Sequence, residues 1–480
     1  MTFRIALVGA IAVLLAACTT APPVRVVPAD AAQQACLEWF ARLDDAMWRA
    51  GVADAQEARI PGYPHLRVNR FLAALAHDGR VDDARFARDA WPALRALDRA
   101  ARAAELGNLP PAALAELGTT RADAVLQTEA CASGALSRLH PSRTALSVPD
   151  DYSDAQRLLG AYAVARYPFT EGVQRQLADV RAAFARPLVP PVGGKVARYA
   201  VPEANGQGHS AQGTLAALLE QHQPVFEKEI TQDDDLPGAL VWDAALSSPA
   251  VQRDQPAVYR HVAYARYRGA TLTQLVYTVW FGARPANGAG DWLAGHLDGL
   301  IWRVTLDAKG EALIYDTIHP CGCYHTFFPT PRATPMAAPP DEPEWAFVPQ
   351  VLGRSRADER VMLRIATRTH FLERVTFAPR GEAEHGAVAL RVLPQDSLRA
   401  LPVLGLGAAT ASSAATHSAY GPDGLVPGTE RAERFFFWPM GIASAGQMRQ
   451  WGRHATAFVG RRHFDDADLL EKRFILDLDE

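Results

Sequence analysis

The sequence predicts an α+β protein, mainly helical to residue 186 and then a larger region built on an antiparallel β-meander. Three observations carry this. Apolar residues recur at helical spacing from Gln33 to about Ala185, a Pro/Gly-rich run PLVPPVGG breaks that period at 187–194, and alternating Val-, Tyr- and Thr-rich segments follow it. The expected divisions are residues 1–17 as a signal peptide, 18–32 as a tether, 33–186 as a helical domain, 187–194 as a linker, and 195–480 as an antiparallel α+β domain.

The first segment, MTFRIALVGAIAVLLAACTT, has one cation, Arg4, and then an apolar run from Ile5 to Ala17. That pattern predicts a secretory signal, too short for a spanning helix. Its ending, Leu15-Ala16-Ala17-Cys18, resembles the bacterial lipobox, which implies cleavage before Cys18 and lipidation of its thiol. Thr19, by resemblance to the enterobacterial sorting rule, implies the outer membrane. The expected setting is therefore the outer membrane, lipid-anchored, on the periplasmic side. Residues 19–32 are small, Pro-containing and without period, which suits a tether.

Cys36, Leu37, Phe40, Leu43 and Met47 mark an amphipathic helix ended by Gly51. Further helices are expected over 83–104, 112–116, 121–139, 155–166 and 171–185, with Ser153 and Thr170 as N-caps of the last two. Beyond the linker, 259–267 and 272–281 form one hairpin around Arg268-Gly269-Ala270. A second, 300–306 with 312–318, turns at Asp307-Ala308-Lys309-Gly310. Four strands in succession predict the meander. Strands resume at 361–366, 372–377 and 387–392, and the tail reads as a helix over 445–451 and a strand over 455–459.

A formal charge of −4 over 480 residues, one more negative without Arg4, argues against a nucleic-acid partner. The exported setting permits disulfides, and the most economical pairing joins Cys36 with Cys131 and leaves Cys321 with Cys323 as a local unit. Buried free thiols are the alternative. His-Glu-x-x-His, P-loop, Gly-x-Ser-x-Gly and Cys-x-x-Cys-His signatures are all absent from the sequence.

The densest chemistry lies in IHPCGCYHTFF, 318–328, with His319, Cys321, Cys323 and His325 at alternate positions. An extended segment would put all four on one face. Imidazole and thiolate ligands suit zinc, copper or iron. A straight segment, however, separates the outer two by about 20 Å, so one ion needs a bent chain or ligands from elsewhere. His296 and Asp298 are the nearest source, and His463 and Asp465 are more remote. In a metal enzyme Asp298 would orient a ligand or act as base. A thiol-redox reading needs only Cys321 and Cys323, whose i, i+2 spacing a disulfide tolerates. A purely structural bridge stays open. So does a non-enzymatic envelope module binding glycan, lipid or protein, with Arg449, Arg453, Arg461 and Arg462 as an anion-binding set.

The stretches RIPGYPHLRVNRFLA, LAGHLDGLIWRVTL, YDTIHPCGCYH and MRQWGRHATAFVGRRHF resemble those of uncharacterised proteobacterial lipoproteins across most of the mature chain. The resemblance implies no particular activity and transfers no catalytic residue.

Overall fold

The computed structural model describes residues 26–202, 214–404 and 415–479. The segment expected to be a signal peptide and Cys18 lie outside those residues. The protein is mixed α+β with several antiparallel sheets. No helix of the described residues is long and apolar enough to cross a membrane.

Helix α1 (Ala31–Arg49) starts where the Asp30 side chain accepts the Gln33 N–H, and buries Trp39, Phe40, Leu43 and Met47 on one face. A hairpin interrupts the helices around Pro61-Gly62, pairing β1 (Ala58–Ile60) with β2 (Tyr63–Val68). There follow α2 (Arg70–His77), α3 (Asp83–Asn108), α4 (Pro111–Glu116), α5 (Arg121–Ser133), α6 (Asp154–Leu159) and α7 (Tyr162–Ala185). The expected break before Thr170 does not occur. Helix α7 runs through Pro168, the Thr170 hydroxyl donates to the Arg166 carbonyl at 2.9 Å, and the chain bends instead at Gly160, where any side chain would strike Pro439.

Cys36 of α1 and Cys131 of α5 form a disulfide across a separation of 95 residues. Chain-entropy arguments give such a cross-link about 4 kcal/mol. The Cys36→Ala/Cys131→Ala variant is therefore expected to lose about that much in denaturant unfolding, and an unchanged midpoint would mean that the unfolded chain is already constrained there.

Beyond residue 194 two sheets face each other. One is made of β3 (Lys195–Ala200), β4 (Val225–Ile230), β13 (Glu359–Ile365), β14 (Leu372–Pro379) and β15 (Val388–Ala389), in the order β14-β13-β4-β3-β15. The other is made of β7 (Ala257–Tyr267), β8 (Ala270–Arg284), β9 (Gly295–Leu306), β10 (Ala312–Ile318), β11 (Thr326–Pro329) and β16 (Arg391–Pro394). Its order is β11-β10-β9-β8-β7-β16. Strands β7 to β11 form an antiparallel meander, and Arg268 and Gly269, both at positive φ, make the first hairpin turn. The first sheet is mixed, because β13 lies parallel to β4 and β15 parallel to β3. The expected strand 387–392 is divided: its first half joins one sheet, and its second half lies parallel to β7 in the other. Smaller hairpins are β5 (Ala239–Asp243) with β6 (Ser248–Gln252), and β12 (Ala333–Pro335) with the terminal strand Phe474–Leu476. The expected helix over 445–451 and strand over 455–459 are irregular chain, apart from isolated bridges between Leu425 and Arg449 and between Ala455 and His463.

The main core lies between the two sheets. Leu275, Tyr277, Val279 and Phe281 of β8 and Leu300, Trp302, Val304 and Leu306 of β9 alternate onto that side, against Phe226, Leu363 and Ile365 opposite. Phe184 of α7 enters the same core, so residues on both sides of 187–194 share it.

Candidate functional site: a buried carboxylate–histidine network beside a dithiol turn

The segment 319–325 is a turn, not an extended strand. The Gly322 N–H donates to the His319 carbonyl at 2.8 Å, and the His319 N–H to the Cys323 carbonyl at 3.0 Å. Gly322 has φ +92°, and a side chain there would run into the Ala455 backbone. The alternate-face expectation for the four residues is thereby corrected. His319 continues the register that points between the sheets, whereas His325 falls on the opposite face with Asp316. Cys321 and Cys323 are free thiols rather than bridged; the Cys323 N–H donates to the Cys321 sulfur at 3.4 Å.

Strand alternation places Asp298 on the same inward face as Leu300 and Trp302, at the end of the core. Its carboxylate, 2% exposed, takes His319 Nδ1 at 3.1 Å on one oxygen and His370 Nδ1 at 2.9 Å on the other. His370 comes from the loop between β13 and β14 and stacks on Phe281. Its Nε2 lies 3.4 Å from Asp235, which also receives Lys228 of β4 at 3.1 Å, the Thr367 hydroxyl at 2.7 Å and the Arg368 N–H at 2.7 Å. Carboxylates and nitrogen bases thus alternate along a buried line from His319 to Lys228. Burial alone would raise the Asp298 carboxyl, but His319 and His370 hold it well below the usual carboxylate range. Burial likewise opposes ionisation of Asp235, and His370 and Lys228 keep it ionised. Lys228 is pushed down to about 8 by burial, against the pull of Asp235.

The backbone around this line is strained. Leu297, immediately before Asp298, has φ +52°, His370 has φ +54° and Arg368 φ +61°. Non-glycine residues in that region cost on the order of 1–2 kcal/mol each and gather where a structure holds a functional geometry.

A second pair lies on the other face of the meander. His325 Nε2 meets Asp316 at 2.9 Å, and Arg303, opposite Asp316 on β9, closes on the same carboxylate at 2.9 Å through Nε. Burial pushes His325 down to about 3, so its imidazole is neutral; its Nδ1 has no hydrogen-bond partner among the described residues. His325, Cys323, Tyr324 and Glu433 all line a cleft of about 430 Å³ whose other wall includes Val173 and Leu177 of α7. Burial raises Glu433 to about 7. A hydrogen bond to Cys321, together with burial, raises Cys323 and keeps it a thiol.

The remaining expected residues do not join these groups. His296 Nε2 bonds to the Pro249 carbonyl at 2.7 Å, because the reversed φ of Leu297 separates it from Asp298. His463 lies 3.3 Å from Asp151, and Asp465 pairs with Arg70 at 3.2 Å. No group of three or more His, Cys, Asp or Glu residues gathers to hold a metal ion among the described residues. The four arginines do not form an open anion cradle. Arg449 donates to the Cys321 and Ser444 carbonyls, Arg462 to the Thr456 and Trp345 carbonyls, Arg453 pairs with Asp151, and Arg461 with Asp150 and Asp154. Sequence reasoning missed His370, Asp235, Lys228, Asp316 and Glu433. For His370 a signal existed, a lone histidine in the short loop between the strands expected at 361–366 and 372–377.

No protein-family model, curated protein or solved structure matches this chain. Fold and site together define a mixed α+β protein with a buried Asp–His–Asp–Lys line ending beside two free thiols.

Proposed function

We propose that this chain is an outer-membrane lipoprotein, anchored through acylated Cys18 on the periplasmic side, whose chemistry is thiol–disulfide exchange at Cys321 and Cys323. Its helical region 33–186 and β region 195–480 join through 187–194 as one working unit. The observation that carries the reading is that two free cysteines share one hydrogen-bonded turn while Cys323 lines the 430 Å³ cleft. Their i, i+2 spacing lets the sulfurs bond, and the Cys36–Cys131 bridge is in keeping with an oxidising compartment. In the forward step Glu433, which lines the same cleft, takes the Cys323 proton as general base while the sulfur attacks a substrate disulfide, releasing one thiol. Cys321 then displaces the second thiol and closes the Cys321–Cys323 bond. The two protons leave with the two substrate thiols. The apolar wall of the cleft suits a peptide segment with apolar side chains.

A second reading, a bound zinc, copper or iron ion, is favoured by one feature: each histidine of the turn has one nitrogen held by a carboxylate, which is how ligand imidazoles are oriented. A non-enzymatic envelope role, binding glycan, lipid or protein, is the alternative to both.

Thiol counting on detergent-solubilised full-length protein separates these. Exchange predicts that Cys321 and Cys323 are lost together in a mildly oxidising glutathione buffer and return together on reduction, and that Cys321→Ser accumulates a mixed disulfide on Cys323. Stoichiometric metal lost in Cys321→Ser/Cys323→Ser would select the second reading. Two inert thiols without metal would remove both. Palmitate labelling lost in Cys18→Ser checks the anchor.

A further inference from the structure

The two helical turns Arg434–Phe437 and Trp438–Met440 leave apolar side chains in water. Phe437 turns inward against Phe169 of α7 at 5.3 Å and Phe458 at 4.7 Å, while Phe435, Phe436 and Trp438 are exposed. Trp292 stacks on Phe436 at 3.9 Å and is exposed with it. These turns pack against α6 and the start of α7: the Arg157 Nε donates to the Met440 carbonyl at 2.9 Å, and Gly160 lies against Pro439. The adjoining helix ends add Leu158 and Leu159 of α6 and Val164 and Tyr167 of α7. Each of these eight exposed side chains shows at least 40% of its surface. Single exposed apolar residues are ordinary, but a group gathered where three segments meet marks a surface that something covers.

Its charge narrows what covers it. The Arg434 guanidinium lies 4.9 Å over the Phe435 ring and that of Arg166 5.2 Å over Tyr167, and neither forms an ion pair among the described residues. Of the acids on these segments, Asp154 pairs with Arg461, Glu433 is buried, and Glu171 is exposed one helical turn beyond Tyr167. The two unpaired arginines therefore outnumber the one unpaired acid. Aromatic and leucine side chains beside arginine, on protruding helix turns, form a face suited to the headgroup layer of a bilayer. There the rings sit at the interface, the aliphatic groups reach the acyl boundary, and guanidiniums meet phosphates.

We infer that this face docks on an anionic phospholipid surface, with Leu158, Leu159, Phe435 and Trp438 at the acyl boundary and Arg166 and Arg434 on phosphates. It rests on the anchor reading in one respect: a chain tethered at Cys18 meets the bilayer at high effective concentration, so a weak contact suffices. Phe169, Phe437 and Glu433 line the 430 Å³ cleft, so docking sets that cleft beside the membrane.

The test is quenching of tryptophan emission in full-length protein reconstituted into vesicles of phosphatidylethanolamine and phosphatidylglycerol whose acyl chains carry bromine. Part of the emission is expected to be quenched, and that part to disappear in Trp292→Phe/Trp438→Phe. Leu158→Glu/Leu159→Glu, at exposed positions and with unchanged thermal unfolding, is expected to reduce quenching at least about twofold. Arg166→Gln/Arg434→Gln is expected to reduce it in the same vesicles, and brominated phosphatidylcholine vesicles are expected to quench the wild type more weakly. The inference is overturned if bromine quenches nothing, if Trp292→Phe/Trp438→Phe leaves quenching unchanged, or if the charged and uncharged vesicles quench equally. It is also overturned if Leu158→Glu/Leu159→Glu instead splits a dimer in detergent, which would give the face to a second copy. Palmitate labelling of the same samples keeps the two readings apart: labelled protein without quenching removes this inference alone, and quenching of unlabelled protein removes the anchor alone.

Discussion

Replacing Asp298 with alanine is expected to remove about 3–5 kcal/mol of folding stability, a large part of the 5–15 kcal/mol typical of a folded protein. The carboxylate is buried at 2% exposure and is the acceptor for both His319 and His370. Removing it strands two buried N–H groups, and leaves His370 with Asp235, 3.4 Å from its Nε2, as its remaining carboxylate neighbour. The strained Leu297 conformation is also held by the bonds of its neighbour, so the β9 backbone there is free to relax once Asp298 is gone. Asp298→Asn keeps one acceptor but turns an amide N–H toward one of the histidines, and is expected to fall between the wild type and the alanine variant. His296→Ala, two residues away, removes one bond to a carbonyl and is expected to cost about 1 kcal/mol. Urea unfolding of the three variants gives the ranking. A loss below about 1 kcal/mol for Asp298→Ala would show that the two histidines find other partners and that the line carries no strain.

The parts of this arrangement that were legible in the sequence are those made by neighbours in the chain. Period-two alternation with turn chemistry at Arg268-Gly269 and around Asp307 gives β7 to β10, and the adjacency of β9 and β10 then brings Asp298 to His319. Pairing between distant segments leaves no such trace: β4 and β13 lie parallel although 137 residues separate partners such as Phe226 and Leu363. For the same reason Asp235, Lys228 and His370 were invisible as a set, since three loops and strands must converge before they touch. The heptad misled for a local reason. Its alternation is real in sequence, but Gly322 at positive φ folds the chain back, and a two-residue period has no meaning inside a turn. Pro168 misled in the opposite direction, because an α-helix can run on through a proline at the loss of one N–H donor.

Acid sensitivity follows from histidines buried as neutral rings, among them the three His65, His325 and His454. Burial depresses His65 to about 4, and His325 and His454 to about 3, from an unfolded value of 6.5. A base whose folded pKa lies below its unfolded one binds fewer protons when folded. Its stabilisation is therefore complete above pH 6.5 and is lost as pH falls from there toward 3 or 4. At pH 5 each of the three costs about 2 kcal/mol relative to pH 7. Glu433 acts with the opposite sign: burial raises it to about 7, so between pH 7 and 5 the folded state gains a proton and about 2 kcal/mol. Glu344 and Asp465, also raised by burial, push the same way. The net curve is thus a difference of opposed contributions, and one variant isolates a single one of them. His454→Asn is expected to retain a donor for the Pro320 carbonyl while removing one titration. Between pH 7 and pH 5 it is expected to lose about 2 kcal/mol less than the wild type, whatever the carboxyls contribute, because they are common to both proteins. Parallel stability curves for the two proteins would place a proton on His454 in the folded state. That would require the ring to have found an acceptor for its second nitrogen, which has no partner among the described residues.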